Sequence, residues 1–313
     1  MGPALILFLS ACDLGGPKAP APAPIPPTIS APVLPPPPGS VQLSPSYPDG
    51  RFVMAEVTTE SKVRVRAAGS SRHSASWRAT ARVGRDEAGR ATVTSAFGDY
   101  AASGFGADGR YRFDSAAGEA IPAAAPDITR VWTALRGLEV RATLDDHGEL
   151  LEVAGLEALQ AAALAAVEGP MSGARRLALA EVFSDPGYQR AISWYSGYLT
   201  AAPVLPGDQW SDAVTFSLPY LSDVEVPRTF TLKRLEQREG RDIAVVGFEG
   251  ELDSTDKRIR RVAFSGQFHF DLDYGEVTYE AGSRTLEMTV SGISFDARSS
   301  YEITAEIIDP PGG

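Results

Sequence analysis

Cysteine, histidine and long apolar runs are all scarce in this chain. One cysteine stands in 313 residues, which excludes an intrachain disulfide and any cluster built on several thiolates. The three histidines, His73, His147 and His269, fall nowhere near an H-x-x-x-H or H-E-x-x-H spacing, so the zinc-hydrolase pattern is missing. There is no G-x-S-x-G elbow, phosphate-binding loop or dinucleotide fingerprint. Carboxylates are plentiful, but nothing in the sequence selects two of them as acid and base. The expectation is a non-enzymatic protein with no catalytic residue, no metal ligand and no cofactor. Positive charge is also short. The formal net charge is -11, and an acidic chain repels phosphate backbones, so nucleic acid is not an expected partner. The deficit is uneven: Asp49 to Val140 holds 13 Lys/Arg against 11 Asp/Glu, while Arg141 onward holds 15 against 28.

The single cysteine lies in a distinctive place. Ala4 to Ala11 reads A-L-I-L-F-L-S-A, too short to span a bilayer, which needs about 20 residues, but suited to the core of a signal peptide. Leu9-Ser10-Ala11-Cys12 resembles the lipobox of bacterial lipoproteins. That resemblance implies residues 1–11 as a signal peptide, lipidation of Cys12, and a membrane partner through the N-terminal lipid. The address it implies is the bacterial cell envelope, inner or outer membrane, with the folded domain in the periplasm or at the cell surface. No Lys or Arg precedes the apolar run, a departure that a start further upstream would explain. Pro17 to Pro48 then carries 13 prolines. Proline removes backbone donors and fixes φ, so residues 12–48 read as the lipidated cysteine followed by a semi-rigid spacer.

Residues 49–313 read as one β-rich domain: strands over 51–154, helices over 155–200 and strands over 210–308. Val63 and Val65 alternate with Arg64 and Arg66, and Trp77, Ala79, Ala81 and Val83 with Arg78, Thr80 and Arg82. That period of two gives one dry and one wet face. Arg64, Arg66, Arg78 and Arg82 belong to the wet face, as a solvated surface or as a binding surface for anionic headgroups. Asp108-Gly109 between Phe105 and Tyr111 is a hairpin signal. Asp146-His147-Gly148-Glu149 and Asp273-Tyr274-Gly275-Glu276 share a D-x-G-E pattern in which the Asp caps the turn. His73 reads as a Ser/Arg loop residue. Leu156, Leu159, Ala163 and Val167 have helical spacing, Ala174 to Phe183 restarts a helix, and Tyr188, Ile192, Tyr195 and Leu199 mark one apolar side of a third.

Pro203-Val204-Leu205-Pro206-Gly207-Asp208-Gln209-Trp210 resembles the P-V-x-x-G-D-x-W segment of a family of secreted bacterial proteins and lipoproteins of unknown function. The resemblance covers roughly Leu138 to Ile307. In it Pro203, Val204, Gly207, Asp208 and Trp210 form a structural motif between helices and curved strands. Physically, Asp208 can accept the backbone donors of a Pro-Gly turn, and Trp210 anchors a strand. The overall pattern is similar to the half-barrel lipoproteins and carriers of the envelope. The expected fold is therefore mainly β with a helical insertion: a curved antiparallel sheet, an open half-barrel meander, packed on two or three helices. Two functions follow: an apolar ligand or lipid held in the concavity against Tyr188, Ile192, Tyr195 and Leu199, or a structural module that binds another envelope protein and no ligand.

Overall fold

The computed structural model describes residues 37–66, 69–106, 108–145, 148–167, 180, 182–185, 187–189, 195, 197–200, 202–216, 224–252, 254–290 and 292–308. The expected signal peptide and lipobox (Leu9, Ser10, Ala11, Cys12), His147 and Ile192 lie outside these residues, as does nearly all of the expected helix from Ala174 to Phe183.

Twelve strands form one open antiparallel sheet: β1 (Phe52–Val65), β2 (Gly69–Arg85), β3 (Ala91–Gly106), β4 (Gly109–Asp114), β5 (Glu139–Leu144), β6 (Leu150–Ala154), β7 (Gln209–Phe216), β8 (Val224–Arg238), β9 (Arg241–Glu251), β10 (Ile259–Asp271), β11 (Glu276–Val290) and β12 (Ile293–Ile308). The order is β6-β5-β3-β2-β1-β12-β11-β10-β9-β8-β7, with β4 paired beside β3. Two meanders are therefore joined where the first strand meets the last, from Phe52↔Ile308 to Val65↔Phe295. We call β1–β6 the N arm and β7–β12 the C arm. The sheet is curved and not closed into a barrel. Bulges such as those at Trp77/Ala79, Leu232/Arg234 and His269/Phe270 add local bend and twist.

The turns explain the meander. The β3–β4 turn places Gly109 at φ 109, and the β8–β9 turn puts both Glu239 and Gly240 at positive φ, the geometry of a two-residue hairpin whose twist matches the strands. The D-x-G-E turns differ from expectation in their capping residue. At the β10–β11 turn Asp271 Oδ1 accepts the N–H groups of Asp273 and Tyr274, while Asp273 accepts from the Asp242 amide. At the β5–β6 turn Asp145 caps Glu149.

Two described helices, α1 (Asp127–Leu135) and α2 (Leu156–Ala166), pack against each other, and α1 packs on β3. α2 sits where helical spacing placed it. α1 falls inside a stretch expected to hold strands alone. His73 is also displaced from expectation, lying in strand β2 with its ring toward the concave side.

The proline-rich segment joins the folded body earlier than its composition suggests. Val41 pairs with Val204, Leu43 is fully buried, and its amide donates to Thr200 Oγ1. Ser46 donates its amide to Gly275 O at the β10–β11 turn, and Tyr47 lies over Gly148 at the β5–β6 turn. Buried Arg51 donates to Ser46 O and Tyr274 O, with its guanidinium over the Tyr274 ring. Residues 41–51 thus strap the two arms together at one end of the sheet.

Candidate functional site

The concave face of the N arm is built from small side chains. Ala75, Ala79 and Ala81 on β2 and Ala55 on β1 are buried beside Val53 and Val57. They leave room for α1, whose chain enters after Pro126 with Asp127 in its first turn, where a carboxylate suits the helix dipole. Gly137, at φ 77, then turns the chain back, and its amide donates to Phe97 O. Trp132 packs against Trp77 (4.5 Å between ring centroids), Phe97 (5.7 Å) and, nearly parallel, Tyr100 (5.8 Å).

Between this helix and the central strands lies a cavity of about 230 Å³. Its apolar walls are Val63, Ala75, Trp77, Ile128, Trp132 and Ala297; its polar walls include Thr59, Ser61, His73, Tyr100, Arg284, Ser299 and Tyr301. One group inside is electrostatically distinctive. The His73 ring is held between two phenols, Nδ1 against the Tyr111 hydroxyl and Nε2 at 3.3 Å from the Tyr100 hydroxyl. A neutral imidazole has one donor and one acceptor, so it satisfies one phenol in each sense. Burial lowers the His73 pKa and favours that neutral form. Burial also pushes the Tyr111 hydroxyl up to about 12. The Trp77 indole N–H has no acceptor among the described residues.

The C arm fills the same face with large groups. Tyr198 stacks on Phe268 at 4.2 Å and meets Phe230 edge-on. Its hydroxyl donates to Glu280 Oε1 at 2.7 Å, and Tyr301 donates to the same oxygen at 2.6 Å. Burial, and then the Glu280 charge, push both phenols well above their usual range. Fully buried Arg228 grips Asp212 with two hydrogen bonds, of 2.9 and 2.6 Å, and lies over the Phe230 ring. Gly197 is required here, since a Cβ would stand 2.0 Å from Asp212 Oδ2. Trp210 donates its indole N–H to Gly197 O and stacks on Phe230. Asp208 accepts from the Leu205 amide, and Gly207, at φ 98, donates to Leu232 O. Pro203 is exposed beside Val204.

Tyr188 and Tyr195 are buried in the core, Tyr195 edge-on to Tyr198, and Leu199 packs against that core. None of the three lines the cavity under α1. Of the residues that line it, sequence reasoning named Val63 and Trp77 only as strand residues and His73 only as a loop residue, and it did not single out Ile128, Trp132 or Arg284. A signal existed: Ile128, Val131, Trp132 and Leu135 have helical spacing between Pro126 and Gly137. On the convex side an open groove of about 570 Å³ runs past Thr229, Glu249, Glu251, Arg261 and Ser283. Among the described residues no group of three or more His, Cys, Asp or Glu is placed to hold a metal ion, and no helix is long and apolar enough to cross a membrane.

No family model matches the sequence, and no curated protein matches it. Solved structures align at low similarity, three of them as follows. A lipovitellin chain, studied for its lipid–protein interactions, aligns at 10% identity and a TM-score of 0.44 over 86% of this chain and 26% of its own, so this chain spans about a quarter of it. DynF of the dynemicin biosynthesis pathway of Micromonospora chersina aligns at 7% identity and a TM-score of 0.18 over 91% and 92% of the two chains. A DUF1329 family protein from Desulfovibrio piger aligns at 9% identity and a TM-score of 0.17 over 84% and 88%.

Proposed function

We propose that this chain is a lipid-tethered protein of the bacterial envelope that binds, without chemical turnover, the apolar part of a small amphiphile in the cavity under α1. The observation that carries the reading is that cavity, walled by Trp77, Trp132, Val63 and Ala297 and edged by His73, Tyr100, Thr59 and Ser61. Apolar walls with a few convergent polar groups are the usual make-up of a small-molecule site. At about 230 Å³ the space lies below the ~300–1,000 Å³ of drug-sized pockets, so the occupant is one slim chain or one ring rather than a whole diacyl lipid. The tether rests on Cys12 and the lipobox before it, and the strap from Val41 to Arg51 enters the fold further along the chain.

Native mass spectrometry of gently extracted protein tests the binding. The expected result is a bound mass of a few hundred daltons that disappears in Ala297→Phe, which fills the cavity. A clean unliganded mass in the wild type, with nothing recovered by solvent extraction, counts against it. The tether is tested separately by palmitate labelling, expected for the wild type and absent in Cys12→Ser.

A second reading, a structural module that binds another envelope protein, is favoured by the C arm, where Tyr188, Tyr195 and Tyr198 are packed as core. In that case crosslinking in cells recovers a defined partner and Ala297→Phe leaves its capture unchanged.

A further inference from the structure

The strand register puts an unusual row of side chains on the convex face. Arg298 on β12 stands opposite Lys62 on β1, Lys62 opposite Arg72 on β2, Arg72 opposite Phe105 on β3, and Phe105 opposite Arg110 on β4. Four cations and one phenylalanine thus lie side by side across five strands. Arg64 and Arg66 flank the row toward the hairpin tips, and Arg112 flanks it on β4; all are exposed. Like charges directly opposite one another in a sheet are destabilising, and this row has two such contacts, Arg298 with Lys62 and Lys62 with Arg72. Three acids stand near the row: Glu60 is bound by Arg72, Asp296 faces Arg64 and is bound by Arg260, and Glu287 on β11 lies opposite Asp296. Asp108 stands further out, at the β3–β4 tip. Among the described residues Lys62, Arg64, Arg66, Arg110, Arg112 and Arg298 make no ion pair.

Phe105 is 42% exposed within this row, and Ile293, 51% exposed, sits at the β11–β12 turn beside Arg66, whose amide donates to Ser294 O. The whole chain carries -11, so the patch is a local reversal of sign. Cations around exposed apolar side chains fit a membrane surface, where headgroup phosphates meet the cations and the ring enters the acyl boundary. Nucleic acid fits less well, because the remainder of the molecule repels it.

We propose that the convex-face row Arg298, Lys62, Arg72, Phe105 and Arg110 docks on a bilayer containing anionic phospholipid. It takes from the envelope reading only the presence of a membrane, and it needs neither the cavity nor its occupant. The cavity is lined from the same end of these strands, by Thr59, Ser61, Val63, His73, Ala75 and Trp77, and Arg298 of the row also borders it, so docking brings the cavity toward the lipid surface.

The test is flotation of the full chain carrying Cys12→Ser, so that no acyl group contributes, with phosphatidylcholine vesicles containing or lacking about 30% phosphatidylglycerol. Binding is expected only with phosphatidylglycerol and is expected to vanish in high salt. Lys62→Gln, Arg64→Gln and Arg298→Gln together should weaken it about 100-fold, at roughly fivefold per cation. Phe105→Ser should weaken it by about tenfold, whereas Arg78→Gln with Arg82→Gln, outward arginines toward the other end, should change it by less than about threefold. Thermal melts confirm that each variant folds. Binding indifferent to phosphatidylglycerol or to the triple change overturns the proposal. Capture on heparin or an acidic protein with no vesicle binding overturns it in favour of another polyanion. Ala297→Phe should float as the wild type does, so loss of the cavity ligand and loss of docking are separable results.

Discussion

The two arms of the sheet meet the same problem, a concave face that must be covered, and meet it with opposite side chains. The N arm lines its face with Ala75, Ala79, Ala81, Thr59 and Ser61 and covers it with a separate helix carrying Trp132; the fit leaves a cavity. The C arm lines its face with Phe230, Phe248, Phe264 and Phe268 and inserts Tyr198 among them, closing the space with Arg228–Asp212 and with Glu280. Small residues on a curved sheet leave volume that a helix cannot fill completely, because protein interiors are close-packed only where shapes interlock. Large rings consume that volume. The cavity therefore lies where the arms join, between α1, β1 and β2 on one side and β11 and β12 on the other, while β8 to β10 are closed by packed rings.

The sharpest way to break the contrast is in the C arm. Asp212→Ala takes from the buried Arg228 guanidinium the carboxylate that grips it with two hydrogen bonds and should cost about 3–5 kcal/mol, read by urea denaturation. Asp212→Leu with Arg228→Met removes both charges and should lie closer to wild type. Next in size is the strap. Leu43→Ala empties a fully buried position and should cost about 2–5 kcal/mol, with hydrogen exchange rising around Ser46 to Arg51. A loss confined to one arm would show that the strap does not couple them. Adding bulk separates the packed face from the cavity next: Gly266→Ala brings a Cβ within 2.3 Å of Ala281 O and should cost about 1–3 kcal/mol, whereas Ala297→Phe, directed into the cavity, should cost less than about 1.5 kcal/mol.

The smallest effect is a pH dependence. Burial depresses the pKa of His73 in the N arm and, aided by the nearby Arg238 charge, that of His269 in the C arm. A histidine with a depressed folded pKa binds fewer protons folded than unfolded, so its stability contribution is lost as pH falls below about 6.5. Unfolding free energy should decline from pH 7.5 to pH 5. His73→Gln and His269→Gln should each remove part of that slope, and the larger part assigns it to one arm. A slope unchanged in both variants would contradict the assignment.

Much of the fold was legible because period two, turn residues and helical spacing are local signals. The hairpin at Asp108-Gly109, the strand after Trp210 and the helix from Leu156 follow from neighbours in sequence. The pairing of β1 with β12 joins residues some 250 apart, and no local pattern encodes it. The strap was read as spacer because proline dominates the preceding residues, yet Val41, Leu43 and Tyr47 carry enough apolar surface to dock once the Gly148 and Gly275 turns lie side by side. α1 was missed although its spacing was present, because the strand pattern on either side of it masked nine helical residues. The cavity depends on which small side chains face one another across β1, β2 and β12, and only the register determines that.

The most direct test of ligand binding under α1 is quenching of tryptophan emission by a fatty acid brominated along its chain. Trp77 and Trp132 form one wall of the cavity, so saturable quenching with a stoichiometry near one is expected for the wild type and should be lost in Ala297→Phe. Emission in the wild type that falls no further than in Ala297→Phe, at any concentration below the amphiphile's own aggregation, would contradict it.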